Sequence, residues 1–211
     1  MTRSSFGPGM DSDGKITVWE PTKRFVAETQ EGPGTVATEW TVEAKDGGTC
    51  VVRVVHRWFA STDDWDGQFE GHSYGWTVFF QNLRLYLQHF RGQPSAIVAL
   101  SAMSNDKDAW GRLVGPLGLA DASAGARFAT SAGSPELSGV VEIVSPPQCP
   151  GLQLRIEQPI PGLAHLFAIP MGAHVLLTLR LYLFGDQARA AAKKVEADWR
   201  GWLDRQLLSQ A

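Results

Sequence analysis

The chain has 211 residues, of which 44% are hydrophobic and 19% charged, and its formal net charge is -3. That is enough apolar material for the core of one large or two small globular domains. The slight acidity and the absence of a basic stripe exclude a sequence-independent grip on nucleic acid. The longest apolar run, "HVLLTLRLYLF", is interrupted by Arg180 and too short to cross a bilayer, so no membrane partner is expected. The opening "MTRSSFGPGM" has no apolar core and does not read as a secretory leader. Cys50 and Cys149 stand alone, without a C-x-x-C pair or nearby histidines. They read as reduced thiols of a cytoplasmic protein, not as a disulfide framework or a zinc site.

In "GKITVWEPTKRFVAETQ", Ile16 and Val18 alternate with polar neighbours, Pro21 breaks the run, and Phe25 and Ala27 resume it. Two short strands joined at a proline turn are predicted. "TVATEWTVEA" and "TCVVRVVHRWF" follow, separated by Lys45-Asp46-Gly47-Gly48, a hairpin signal. Alternation puts Thr38, Trp40 and Val42 on one face, and Val52, Val54 and His56 on the buried side of the next strand. An acidic loop, "ASTDDWDGQFEG", precedes a helix whose Trp76, Phe79, Phe80, Leu83, Leu87 and Phe90 recur every three or four residues as one apolar stripe.

"PSAIVALSAM" then predicts a strand, "SNDKDAWGRLVGPLG" a helix capped by Ser104 or Asn105, and "GARFATSAG" one more strand. "VVEIVSPPQCPGLQLRIEQ" repeats the strand, proline, strand design, and "PMGAHVLLTLRLYLF" repeats the long strand after a glycine turn. Pro21 aligns with Pro146, Gly47 with Gly172 and Phe59 with Phe184, all at an offset of 125 residues. The same offset lays Val52, Val54 and His56 on Leu177, Leu179 and Leu181. Two copies of one architecture are expected, in residues 1–92 and 93–211. The second ends in a helix bearing Val195, Trp199, Trp202, Leu203 and Leu207, with Asp186 as its N-cap. The first copy has no counterpart to the strand and helix that open the second. Either it lacks them, with a partner filling the gap, or Met1 is not the natural start.

The residues "GKITVWEPTKRF", "DGGTCVVRVVHRWF" and "EGHSYGWTVFFQNLRLYL" resemble the SRPBCC superfamily, and within it the branch similar to activators of heat-shock-protein-90 ATPase. The W-E-P hairpin, the G-T-x-x-V-x-V-x-H strand of Gly48 to His56 and the E-G-x-x-x-G-W helix start occur here in that order. The resemblance covers residues 14 to 91 and then thins to the strand-and-helix pattern alone. It implies an α+β fold of two helix-grip units, each a curved antiparallel sheet packed on a long C-terminal helix. It also implies a pocket between sheet and helix that holds apolar ligands in many members. Some members bind chaperones, and a few are cyclases or hydrolases.

Gly71-His72-Ser73-Tyr74-Gly75 matches G-x-S-x-G, but a nucleophile elbow needs a buried strand leading into the serine, and the approach here is the acidic loop. Ser73 or a neighbour is expected to cap the helix, with Gly71 and Gly75 allowing the chain to turn and pack closely. "GMDSDGKITVWE" imitates a calcium loop, with Gly9 in the first ligand position and a strand where a helix should follow. "TDDWDG" lacks the terminal glutamate, and both are expected to be turns without metal. His56 faces inward between Trp40 and Trp76. It could contact a ligand or act as a general base, but a core histidine satisfied by a backbone carbonyl is the plainer expectation. The leading expectation is therefore a binding module with no catalytic residue, no cofactor and no metal. Its apolar small-molecule cavity is lined by Phe25, Trp40, Val52, Val54, His56, Trp76 and Phe80. The alternatives are a co-chaperone that meets a chaperone or other protein through the outer sheet face, and a lyase or hydrolase working through His56.

Overall fold

The computed structural model describes residues 1–5, 11–31, 34–59 and 69–208. They form an α+β protein with two antiparallel sheets and a long C-terminal helix. It divides into two compact units, Met1–Thr77 and Val78–Ala211.

The first unit holds a five-stranded sheet of β1 (Thr2–Ser5), β2 (Asp11–Glu20), β3 (Arg24–Glu31), β4 (Gly34–Lys45) and β5 (Thr49–Phe59), ordered as in the chain. The proline turn joins β2 to β3 and the Asp46–Gly48 turn joins β4 to β5, as the residue patterns predict. Gly47 and Gly48 adopt φ of 74° and 72°, the left-handed conformation that glycine enters without steric cost. The described part of the calcium-like segment is β2 itself, hydrogen-bonded between β1 and β3. β1 is an addition to the sequence reading, which left those residues without structure. The acidic loop of residues 60–68 lies outside the described residues.

α1 (Phe69–His89) begins in the first unit and ends in the second. Ser73 lies inside the helix, several residues past Phe69, so it neither caps the helix nor sits on a strand-to-helix elbow. Gly75 is also interior, and no described atom lies within 4 Å of where its Cβ would stand, so close packing is not its role. The expected single stripe is corrected too. Phe79 and Leu87 are exposed, whereas Val78 and Leu85 are buried. At 100° per residue Val78 and Leu85 lie almost opposite Trp76, Phe80, Leu83 and Leu87. The helix has two apolar faces, and the polar Gln81 and Asn82 between Val78 and Leu85 conceal the second one in the sequence.

The second unit holds six strands, β6 (Ser95–Ser104), β7 (Arg127–Ala129), β8 (Ser138–Val144), β9 (Gly151–Gln158), β10 (Gly162–Met171) and β11 (His174–Phe184), ordered β6-β11-β10-β9-β8-β7. β10, preceded by Pro159 and Pro161 and carrying Pro170 near its end, was not singled out from sequence. Pro170 is tolerated because β10 pairs with β9 only over Gly162–Phe167. α2 is only Ala109–Val114. Its N-cap is Asp108, not Ser104 or Asn105, and Gly115-Pro116 stops it. Ser104 Oγ instead accepts from the Asp106 amide in the preceding turn. α3 (Ala188–Leu208) starts beyond the expected Asp186 cap. One sheet face, with α2 and α3, encloses the main core: Leu154, Leu166, Leu179 and Leu181 from the strands, Leu113 and Val114 from α2, and Trp199 and Trp202 from α3.

Candidate functional site

Cross-strand register in the first sheet builds three transverse rows on one face. Trp19, Phe25, Trp40 and Val54 are successive partners, then Ile16, Ala27, Thr38 and His56, and then Thr29, Val36 and Trp58. The rows form because β3, β4 and β5 alternate, while a bulge between Ile16 and Val18 in β2 brings Trp19 onto the face of Ile16. In the third row Val36 is only 3% exposed, while Thr29 and Trp58 are half-buried. The first row is open, with Trp19 65% exposed and Phe25, Trp40 and Val54 half-buried.

The N-terminal half of α1 brings Trp76 onto this face. Its ring centroid lies 5.6 Å from Trp40 and 5.6 Å from His56, both edge-on. Trp58 meets the other side of His56 edge-on at 5.8 Å, and Trp19 meets Phe25 at 5.7 Å. Such edge-to-face contacts stabilise by roughly 0.5–1.5 kcal/mol beyond area burial. Thr38 Oγ1 lies 2.8 Å from His56 Nδ1, so a hydroxyl on the neighbouring strand orients the imidazole.

Of the sequence-derived cavity residues, Phe25, Trp40, Val52, Val54 and His56 share this face, and Trp76 packs on it. Phe80 belongs to the second unit, where its ring neighbours Phe79 at 5.9 Å. Thr38, Trp58 and Trp19 were not counted with the site. Trp58 was recoverable, since it follows His56 by two residues on the same strand and must share its face.

The opposite face of the same sheet carries the buried Val26 and Ala37 beside an ion-pair cluster. Glu39 receives Arg24 Nε at 2.7 Å and Arg57 Nη1 at 3.0 Å, and these two hydrogen bonds hold its carboxyl below the usual carboxylate range. One side of the sheet thus carries an ion-pair cluster and the other an aromatic floor around an oriented imidazole.

The second unit keeps a buried histidine of another kind. His165 on β10 faces away from the main core, stacks on Phe167 at 4.4 Å, and stands opposite Gln153 and Arg180 in the register. Burial, and then the nearby Arg180 cation, push its pKa down to about 3. Gln153 donates to the Val78 carbonyl at 3.4 Å and to Gln81 Oε1 at 3.2 Å, which ties the C-terminal half of α1 to this face. A shallow cleft between α3 and the loops is lined by Pro135, Pro159, Lys194 and Asp198 and exposes little apolar surface. Among the described residues no three His, Cys, Asp or Glu side chains are grouped as a metal site, and no helix is long and apolar enough to cross a membrane.

No family model matches the chain, and no curated protein matches it. Among solved structures, it is similar to the protein MLL2253 of Mesorhizobium loti at 16% identity, over 55% of this chain and 98% of that one, with a TM-score of 0.44. CalU16 of Micromonospora echinospora matches at 16% identity over 56% of this chain and 83% of its own, with a TM-score of 0.41. StfQ, a di-domain ARO/CYC of the steffimycin biosynthetic pathway, matches at 12% identity over 98% of this chain and 85% of its own, with a TM-score of 0.37. All three superpose loosely.

Proposed function

We propose that the protein is a tandem helix-grip protein of the SRPBCC superfamily, with units at 1–92 and 93–211, that binds a small apolar molecule in its first unit without transforming it. The observation that carries this reading is the half-open aromatic floor. Trp40, Trp76 and His56 make ring contacts while remaining half-buried, so a flat guest can cover surface that the protein itself leaves wet. Thr38 and His56 form the polar contact that would orient such a guest.

Native mass spectrometry of protein purified from cells, followed by titration of the delipidated protein with 8-anilinonaphthalene-1-sulfonate, tests the reading. We expect a retained small molecule or saturable dye binding, weakened about fivefold or more in Trp40→Ala and Trp76→Ala, since an aromatic contact contributes about 1 kcal/mol. The absence of both signals, or binding indifferent to both substitutions, overturns it. A second reading, catalysis through His56, draws on the orientation of its ring by Thr38, and that hydroxyl by itself supplies no negative charge to strengthen a base. The co-chaperone alternative rests on the sequence resemblance alone.

A further inference from the structure

The aromatic floor of the first sheet opens in one direction. Along β4, Val36 is buried, Thr38 and Trp40 are half-buried, and Val42 is 38% exposed. β2 and β5 repeat the trend towards the same end, from buried Gly14 to exposed Trp19 and from half-buried His56 to exposed Cys50. The three transverse rows, and the Val42–Val52 pair that extends them, contain no Asp, Glu, Lys or Arg. A charged group on a guest therefore finds no counter-charge within the rows, and burying it there unpaired is costly. Its place is the open end.

That end carries a cation. Lys23, in the turn between β2 and β3, donates its backbone N–H to the Glu20 carbonyl at 3.0 Å, and its own carbonyl accepts from the Val42 N–H at 2.8 Å. The second bond carries the β3–β4 register one residue beyond the Arg24–Thr41 pair and sets Lys23 opposite Val42, on the floor side. Lys23 is exposed, and no described carboxylate pairs with it. Its neighbours are engaged: Arg24 by Glu20 and Glu39, Arg57 by Glu39, and Lys45 by Glu43. Lys15 and Arg53 belong to the opposite face, and Asp46 stands farther out, in the turn after β4.

We infer that the guest of the floor is an amphipathic organic acid, with its apolar body on the tryptophan rows and its anionic head at the open end beside Lys23. This rests on the ligand-binding reading above and adds the charge and the orientation of the guest. The flexible stem of a lysine lets its ammonium follow such a head without a fixed geometry. The head keeps part of its water, so the pair adds selectivity more than affinity.

Fluorescence titration of the full chain with two dyes tests this. 8-Anilinonaphthalene-1-sulfonate and N-phenyl-1-naphthylamine share one ring system and differ by the sulfonate. At low ionic strength Lys23→Gln should weaken the sulfonate dye about threefold and Lys23→Glu about tenfold, with the uncharged dye unmoved, because an exposed ion pair acts on the charged head alone. Salt at about 0.5 M should erase the difference. Lys15→Gln, the same loss of charge on the other face, should change neither dye. Circular dichroism checks that the variants fold, which their exposed positions favour. Sulfonate binding indifferent to both Lys23 changes, an equal loss for the two dyes, or an equal loss in Lys15→Gln overturns the inference. If the dyes still respond to Trp40→Ala in that case, the floor survives as a binding site and only the acid is wrong. If neither dye binds the wild type, the floor and its acid fall together.

Discussion

His56 and Leu181 end comparable stretches of their sheets, in β5 and β11, two strands of the same length that each follow a glycine turn. Leu177, Leu179 and Leu181 are at most 2% exposed, while Val52, Val54 and His56 are half-buried. The strands differ less than their covers. β11 is flanked by β6 and roofed by α2 and α3, with Trp199 and Trp202 filling the space above it. β5 is the last strand of its sheet, and the described helical cover on its face is Trp76 at the N-terminal half of α1. A similar strand pattern is sealed core under one roof and half-buried surface under the other. Burial, not strand chemistry, separates the two.

The tryptophans break this comparison most sharply. Trp199→Ala should cost about 3–5 kcal/mol by opening a void in a sealed core, whereas Trp76→Ala, already half-exposed, should cost less than about 2 kcal/mol. Thermal denaturation read by circular dichroism distinguishes the two, and equal losses would mean the first floor is as tightly packed as the second core. Exchanging the paired residues comes next. Leu181→His should destabilise by about 3 kcal/mol through an unsatisfied buried imidazole, and His56→Leu should stay within about 1 kcal/mol while changing dye affinity.

Acid sharpens the contrast through His165. Its folded pKa near 3 lies below the ordinary 6.5, so the unfolded chain takes up the proton first. The stability that comes from keeping this imidazole neutral is complete above pH 6.5 and is lost as pH falls from 6.5 towards 3, by up to about 1.4 kcal/mol per pH unit. His165→Gln should flatten the fall in melting temperature between pH 6.5 and 5, and an unchanged slope would show that the group titrates normally. The smallest effect is a gain. Gly75→Ala has open space for its Cβ and should stabilise α1 by about 0.5–1 kcal/mol, visible as a rise in melting temperature.

Strand boundaries on both sides of the proline and glycine turns were legible because period-two alternation and turn chemistry are local properties. The face shared by Phe25, Trp40, Val54 and His56 followed from the same alternation. Helix ends were less legible: Ser73, Ser104 and Asp186 all looked like caps, yet the helices start elsewhere, since short polar residues satisfy turns as readily as helix ends. The second apolar face of α1 was hidden because a buried amide, Gln153, makes polar Gln81 an acceptable contact.

By itself the amino-acid order determined the hairpins, the alternating faces and the tryptophan-bearing helices, all written in spacings of two, three and four residues. Only the tertiary structure decided which faces are covered, that Thr38 orients His56 and that His165 is sealed from water. Cover depends on contacts between elements distant in the chain, and no local spacing encodes them.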